Sequence, residues 1–287
     1  MRLFVRGARL VALALLIGVG INNVIWALAD WHLTDMDAYY QAALRIRAGE
    51  PLYGGDVTPL NAYRYAPWFA YAWVPLSQVP DTIMRGIWSL ILVLGSAAAL
   101  WPFMRERTNA AWVLVFLMGP ILLGISSIGN VQGPMVALLV LGMPTRWAGA
   151  AIGVAASLKV VPILLVLALI AERRWLQAAV AMLVAGILWS PIVAFEISPV
   201  TLDPGVARTL PTPLSHVVVI IAVTAAGALA WRGSKWTHIV AATAALLVLP
   251  RLFVYEVTLL MAGASWLGAT RESVPPRQLL FRRRSSN

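Results

Sequence analysis

LVALALLIGVGINNVIWALA, residues 10–29, carries no charged side chain along its whole length. A helix of this composition matches the roughly 20 residues that cross the hydrocarbon core of a bilayer. The stretch lacks the small-residue cleavage site of a signal peptide, and further apolar runs follow it. We therefore expect a helix that is retained in a membrane.

The rest of the chain has the same character. Apolar residues make up 60% of it, charged residues 12%, and the mean hydropathy is +0.80. This composition is far from that of a soluble globular domain. It predicts an all-α polytopic membrane protein, a bundle of about 8–10 transmembrane helices with one transmembrane domain over residues 1–268. Residues 269–287 form a basic tail that we expect to be disordered and cytoplasmic.

Charge placement predicts the topology. Ten crossings, among them short ones at 66–79 and 131–144 and a long one at 148–171, place both termini in the cytoplasm. The two short segments are also compatible with tilted, broken or re-entrant helices buried among the others, which makes the count eight to ten. Arg173, Arg174, Arg232 and Lys235 then lie inside, as the positive-inside rule requires, whereas Arg105 and Arg107 lie outside. The net charge of +10 comes largely from such basic turns and the tail, so membrane lipids are expected partners and nucleic acid is not.

One polar segment, residues 30–65, separates the first two apolar runs. It holds five of the twelve acidic residues: Asp30, Asp35, Asp37, Glu50 and Asp56. From Met36 to Arg47 the apolar residues follow the spacing of an amphipathic helix lying along the outer membrane surface. Thr34 and Asp37 resemble a capping box before it, and Gly49 is a natural end.

The carboxylates of this external loop admit two interpretations. Asp35 is suited to cap the helix, where the helix dipole stabilises its charge, and it is also suited to act as a catalytic base. Asp37 is the second catalytic candidate, with a solvated or capping role as the simpler interpretation. The neighbouring tyrosines are either interface aromatics or a platform for a sugar.

Three polar features interrupt the later apolar runs. Lys159 lies near the middle of the run 148–171, where an ammonium needs an anionic partner or a cavity, so we favour a functional role. GNVQG at 129–133 is either a tight turn or a polar pocket. Arg251 and Glu256 lie in the last apolar region and can face separate partners.

Several kinds of site have no support in the sequence. There is no cysteine, and three histidines lack metal-ligand spacing. No P-loop or dinucleotide fingerprint is present. No cofactor and no metal are expected, although carboxylate binding of a hard cation stays compatible with the sequence.

The motifs together resemble a known family. DMDAYYQAA from Asp35, GEPLY from Gly49 and YRYAP from Tyr63 are similar to the first external loop of glycosyltransferase family 87, whose members are GT-C enzymes. GNVQ at 129–132 resembles that family's Gly-Gln-Val-Asn element with the amides exchanged. AASLKVVP at 155–162, followed by ERRW, resembles its Lys-x-x-Pro helix and basic turn. The resemblance covers about residues 10–200.

The resemblance implies a GT-C-like bundle and the transfer of a sugar, with mannose expected, from a polyprenyl-phosphate donor to a lipid or glycan acceptor. The transfer would be inverting and would take place at the external face of the plasma (inner) membrane. Asp35, with Asp37 as the alternative, would be the general base. Lys159, Arg64 and Arg251 would bind the donor phosphate. We expect the substrate-binding residues to be Tyr39, Tyr65, Asn130, Gln132 and Glu256. An ion-coupled lipid or small-solute transporter and an inactive scaffold are the alternatives.

Overall fold

A computed structural model of the protein describes residues 2–29, 33–54, 62–106, 108–197, 212–249 and 253–269. Over these ranges the chain forms helices joined by short turns, and the predicted all-α fold is confirmed. The helices are α1 (Arg2–Leu28), α2 (Thr34–Ala48), α3 (Pro67–Leu76), α4 (Asp81–Arg105), α5 (Asn109–Ser126), α6 (Gln132–Gly142), α7 (Ala148–Leu158), α8 (Val166–Ala171), α9 (Trp175–Trp189), α10 (Thr212–Trp231), α11 (Thr237–Leu247) and α12 (Leu260–Ala269). Short 3-10 segments, Val161–Leu165, Ser190–Ala194 and Val254–Leu259, precede α8, follow α9 and precede α12.

Four of the described helices are long and apolar enough to cross a membrane by length and composition: Arg6–Leu28, Asp81–Arg105, Asn109–Ser126 and Trp175–Ala194. Large apolar side chains on their outer faces are exposed, for example Leu10, Leu94 and Leu183. Apolar side chains facing outward suit a hydrocarbon surrounding. Together these features confirm a polytopic membrane protein.

Of the two interpretations of residues 66–79, the full crossing is wrong, because α3 lies on α2 instead. Its ten residues span about 15 Å, half of the hydrocarbon core. Trp68 near its start donates to Ser157 Oγ at 3.0 Å, and Arg47 at the end of α2 donates to Ser77 O at 3.3 Å just after it. The apolar side chains of α3 serve aromatic packing, such as Trp73 against Trp88 at 4.8 Å between ring centroids.

The long crossing predicted for 148–171 is also wrong, because the chain reverses direction at Lys159. Helices α7 and α9 run side by side in the same direction. A Cβ on Gly149 would lie 2.2 Å from Gln177 O near the start of both helices, and Trp189 donates to Ala156 O at 3.0 Å near their ends. The Val161–Leu165 segment and α8 therefore return the chain to the beginning of α9.

These two corrections change which residues share an end of the bundle. Leu28 packs at Gly86, and Trp88 donates to Gly129 O at 2.8 Å, so the end of α1, the start of α4 and the end of α5 meet. We call this the site end. At the opposite end, the basic end, Arg9 donates to Asn109 Oδ1 at 3.1 Å.

The basic end gathers most of the cationic turns. Arg174 donates to the carbonyls of Met143 (3.2 Å) and Thr145, so the turn before α7 adjoins the turn before α9. Arg105 closes α4 at this end, next to the start of α5. The sequence had placed Arg105 on the same side as Asp35, which is wrong because α3 is not a crossing; Arg107 and the tail from residue 270 lie outside the described residues.

Candidate active site

Helix α2 places Asp35 in its first turn, facing the end of α5. The helix begins at Thr34, after Leu33, and no side chain caps its start, so the predicted Thr34–Asp37 capping box does not form. Instead the backbone N–H of Asp35 donates to Ile128 O at 2.9 Å. The predicted helix end is confirmed: Gly49 adopts φ 71°, in the left-handed region that favours glycine.

The carboxylate of Asp35 accepts a hydrogen bond from the turn between α5 and α6. Asn130 Nδ2 donates to Asp35 Oδ2 at 2.5 Å, and Asn130 Oδ1 accepts the backbone N–H of Gln132 at 2.9 Å. A carboxylate accepts only and an N–H donates only, so the two partners fix the orientation of the Asn130 amide. Asp35 is thus bound to a residue 95 positions away in the chain.

Gln132, the first residue of α6, connects this pair to a buried ion pair. Its Oε1 accepts from Lys159 Nζ at 2.8 Å, and its Nε2 donates to Thr258 Oγ1 at 3.0 Å and Tyr255 O at 3.3 Å. Lys159 Nζ also contacts Glu256 Oε1 at 2.8 Å. A continuous chain of hydrogen bonds therefore runs from Asp35 through Asn130, Gln132 and Lys159 to Glu256.

The ion pair is largely removed from solvent. The side chain of Lys159 is 14% exposed and that of Glu256 is 5% exposed. The ammonium also lies 4.6 Å from the centroid of the Tyr255 ring, a favourable cation–π distance. The second oxygen of Glu256, Oε2, is buried and has no hydrogen-bond partner within the described ranges. The partner that the sequence required for Lys159 is thus Glu256.

The middle of the chain is similar to a known enzyme family. The model of glycosyltransferase family 87 matches residues 63–201. Over this segment, just under half of the chain, the protein is similar to members of glycosyltransferase family 87. The family resemblance read from the sequence is confirmed over these residues, and it indicates a membrane glycosyltransferase. No curated protein and no solved structure matches the chain at a significant level.

The family match and the hydrogen-bond chain overlap only in part. Asn130, Gln132 and Lys159 lie inside the matched range, as does Tyr65. Asp35 and Glu256 lie outside it, on either side. The fold brings these two carboxylates to the matched residues, one at each end of the chain of hydrogen bonds.

Two tyrosines lie beside Asp35. Tyr39 donates to the hydroxyl of Tyr65 at 2.9 Å, and their rings meet edge to face at 4.9 Å between centroids. Burial raises the pKa of both phenols well above its usual value, and the charge of Asp35 raises each further. Glu256 also raises the pKa of Tyr65, so Tyr65 lies within electrostatic reach of both carboxylates. Both phenols therefore stay protonated and neutral at physiological pH.

The remaining predicted residues are Asp37, Arg64 and Arg251. Asp37 is half-buried in the first turn of α2. Arg64 is half-buried beside Tyr65 and donates to Ala62 O at 3.4 Å. Arg251 lies outside the described residues. No group of three or more His, Asp or Glu that could hold a metal ion occurs among the residues described.

Sequence reasoning missed three residues that shape the site. Tyr255 and Thr258 flank Glu256 and bind Gln132, and Trp88 holds the carbonyl of Gly129. The aromatic and hydroxyl neighbours of a membrane-buried glutamate were the available signal for the first two. Trp88 carries no such signal, because tryptophan within an apolar helix commonly faces lipid.

Proposed function

We propose that this glycosyltransferase transfers a sugar, mannose in the first instance, from a polyprenyl-phosphate donor to a lipid or glycan hydroxyl, by a single inverting displacement. The observation that carries the proposal is the unbroken chain of hydrogen bonds between Asp35 and Lys159. It joins a carboxylate and an ammonium, the two groups of opposite charge that such a transfer requires.

Asp35 is proposed as the general base. A carboxylate has about four lone-pair directions, so it can accept from Asn130 and still receive a proton from an acceptor hydroxyl. Deprotonation of that hydroxyl as it attacks the anomeric carbon strengthens the nucleophile. Tyr39 already donates its only O–H to Tyr65, so the half-buried Tyr65 is the phenol that can donate to a sugar oxygen, and neither protonated phenol competes as a base. Asp37, two residues further along α2, is the alternative base.

Lys159 is proposed to hold the donor phosphate. The leaving group of this reaction is a polyprenyl phosphate, which leaves as an anion and needs stabilisation by a cation rather than protonation. An ammonium has three donors, and contacts to Gln132 and Glu256 account for two of them. Because Glu256 offsets part of the charge of Lys159, Arg64 and Arg251 are proposed as further cations for the phosphate.

The surroundings suit a lipid-linked donor. Gly133, which follows Gln132, packs so closely on α4 that a Cβ there would lie 3.0 Å from Leu92 O. Leu92 lies near the middle of α4, so the Lys159 cluster is deep in the bundle, where a polyprenyl chain is soluble and a free sugar nucleotide is not. With the basic end cytoplasmic, as the positive-inside rule favours, the site would face the outside of a plasma (inner) membrane.

A transporter is the second candidate, because a buried ion pair beside a broken helix also suits an ion-coupled substrate site. The two functions predict different products from one preparation. Purified protein in lipid vesicles is supplied with radiolabelled polyprenyl-phosphate mannose and a membrane-lipid extract as acceptor. A labelled product of new mobility supports the transferase, whereas movement of unaltered donor across the bilayer supports the transporter.

Substitution of Asp35 tests the base. We expect Asp35→Asn to lower the transfer rate by about 10²–10⁴-fold, the range that general-base catalysis contributes. Glu50→Gln is the matched control, since Glu50 is an exposed carboxylate just after the end of α2. Transfer that survives Asp35→Asn but not Asp37→Asn would move the base to Asp37. Transfer that survives both would refute this mechanism.

A further inference from the structure

The residues between Asp35 and Lys159 are too deeply buried to bind a sugar themselves. Asn130 is 2% exposed and Gln132 is 0% exposed. Each end of both amides already has a partner: Asp35 and a backbone N–H for Asn130, and Lys159, Thr258 and a backbone carbonyl for Gln132. Their contribution to the reaction must therefore pass through the groups that they hold.

The turn that carries them is fixed from two sides. Gly129 adopts φ 85°, and a Cβ on it would lie 2.8 Å from the backbone N of Met36 in α2. On the other side, its carbonyl accepts the indole N–H of Trp88 in α4. Neither contact leaves room for the turn to shift toward α2 or α4. Only one residue, Val131, separates the two amides, and it is buried as well.

We infer that Asn130 and Gln132 are positioning residues that hold Asp35 and Lys159 at a fixed separation, so that a donor held by its phosphate presents its anomeric carbon to the hydroxyl that Asp35 activates. This inference rests on the proposed function. It replaces the expectation that the two amides bind substrate directly, and it gives them separate tasks. Asn130 orients the carboxylate, and Gln132 orients the ammonium.

Separate tasks predict separate kinetic effects. Asn130→Ala removes the donor to Asp35, so it should lower kcat by about 10- to 100-fold, the equivalent of one hydrogen bond to a charged group, with little change in the KM for donor. Gln132→Ala should raise the KM for donor by a similar factor and leave the pH profile unchanged. Two substrate-binding residues would both raise KM.

The pH profile tests Asn130 more sharply. Asn130→Asp preserves shape and the acceptor for the Gln132 N–H, but it places a second carboxylate against Asp35, and two such groups share a proton. The acidic limb of kcat/KM should move to higher pH, and activity lost at neutral pH should partly return under alkaline conditions. Among the described residues, Asp35 acts electrostatically on Tyr39 on its own helix and on Tyr65 before α3, and Lys159 and Glu256 lie beyond the amides.

The experiment measures donor and acceptor kinetics from pH 5 to 10 with polyprenyl-phosphate mannose, alongside the thermal unfolding of each variant in detergent. Ser89→Ala is the control, because its hydroxyl is buried in α4 and has no hydrogen-bond partner in the described part of the chain. We expect it to leave kinetics unchanged. If Asn130→Ala unfolds at a lower temperature than wild type, the isosteric Asn130→Asp takes its place in the comparison.

The possible outcomes distinguish the positioning role of Asn130 and Gln132 from the proposed role of Asp35 as general base. Transfer abolished by Asp35→Asn, together with an unshifted acidic limb in Asn130→Asp, would overturn the positioning role alone. Equal increases in KM for Asn130→Ala and Gln132→Ala would return both amides to direct substrate binding. Transfer that persists in Asp35→Asn would instead refute the proposed base, whatever the amide variants show.

Discussion

Replacement of Lys159 by methionine should destabilise the protein and abolish transfer, for separable reasons. The Lys159–Glu256 contact of 2.8 Å joins side chains that are 14% and 5% exposed. Removing one member of a buried pair leaves the other charge without compensation, at a cost of about 3–5 kcal/mol. Lys159→Met would remove the 2.8 Å contact to Glu256 Oε1, so we expect a loss within that range.

The double variant Lys159→Met/Glu256→Gln separates stability from function. It removes both charges, and replacing a buried ion pair by uncharged side chains is often close to neutral for stability. The double variant should thus recover most of the unfolding free energy lost in Lys159→Met. Transfer should stay at least about 100-fold below wild type, because the cation for the phosphate is still missing.

Both quantities can be measured on one detergent preparation. Denaturant unfolding is followed by tryptophan fluorescence, and transfer is measured with labelled polyprenyl-phosphate mannose. Lys235→Met, at an exposed lysine of the basic end, is the control and should change neither. A Lys159→Met variant within about 1 kcal/mol of wild type would show that the pair is solvated. A double variant with normal transfer would refute the role of Lys159 in phosphate binding.

Two further predictions concern packing and pH. Gly149→Ala should lower the unfolding free energy by about 1–3 kcal/mol or more in the same assay. The reason is that the new Cβ would lie 2.2 Å from the backbone oxygen of Gln177. Gly186→Ala, in the same bundle with nothing within 4 Å of the new Cβ, should be neutral or stabilising, and an equal loss for both would contradict the packing of α7 on α9. Burial raises the pKa of Tyr39 and Tyr65 in the folded protein, so the unfolded chain releases these protons first, near pH ~10. Stability should be intact below about pH 10 and fall above it, and a Tyr39→Phe/Tyr65→Phe variant should show a shallower fall in unfolding titrations between pH 8 and 11.

The sequence by itself determined the class of the protein and most members of the site. Long uncharged runs must avoid water, which predicts helices in a membrane whatever their arrangement. A charge in such a run is costly, so Lys159 and Glu256 stood out without any structure. Helix α2 also followed from local periodicity, with an error of two residues at its start, because spacing within one helix depends on nearby residues alone.

Only the tertiary structure decided which of these residues meet. Whether an apolar segment crosses the bilayer or packs on a neighbouring helix depends on its partners, and hydropathy has the same value in both cases. Residues 66–79 lie along α2 and residues 148–171 reverse at Lys159, so Asn130 comes to the same end of the bundle as Asp35. The contacts that join Asp35 to Glu256 span 95, 27 and 97 positions of the chain, apart from the local step from Asn130 to Gln132. Such contacts are set by the packing of whole helices, and no local pattern of residues encodes them.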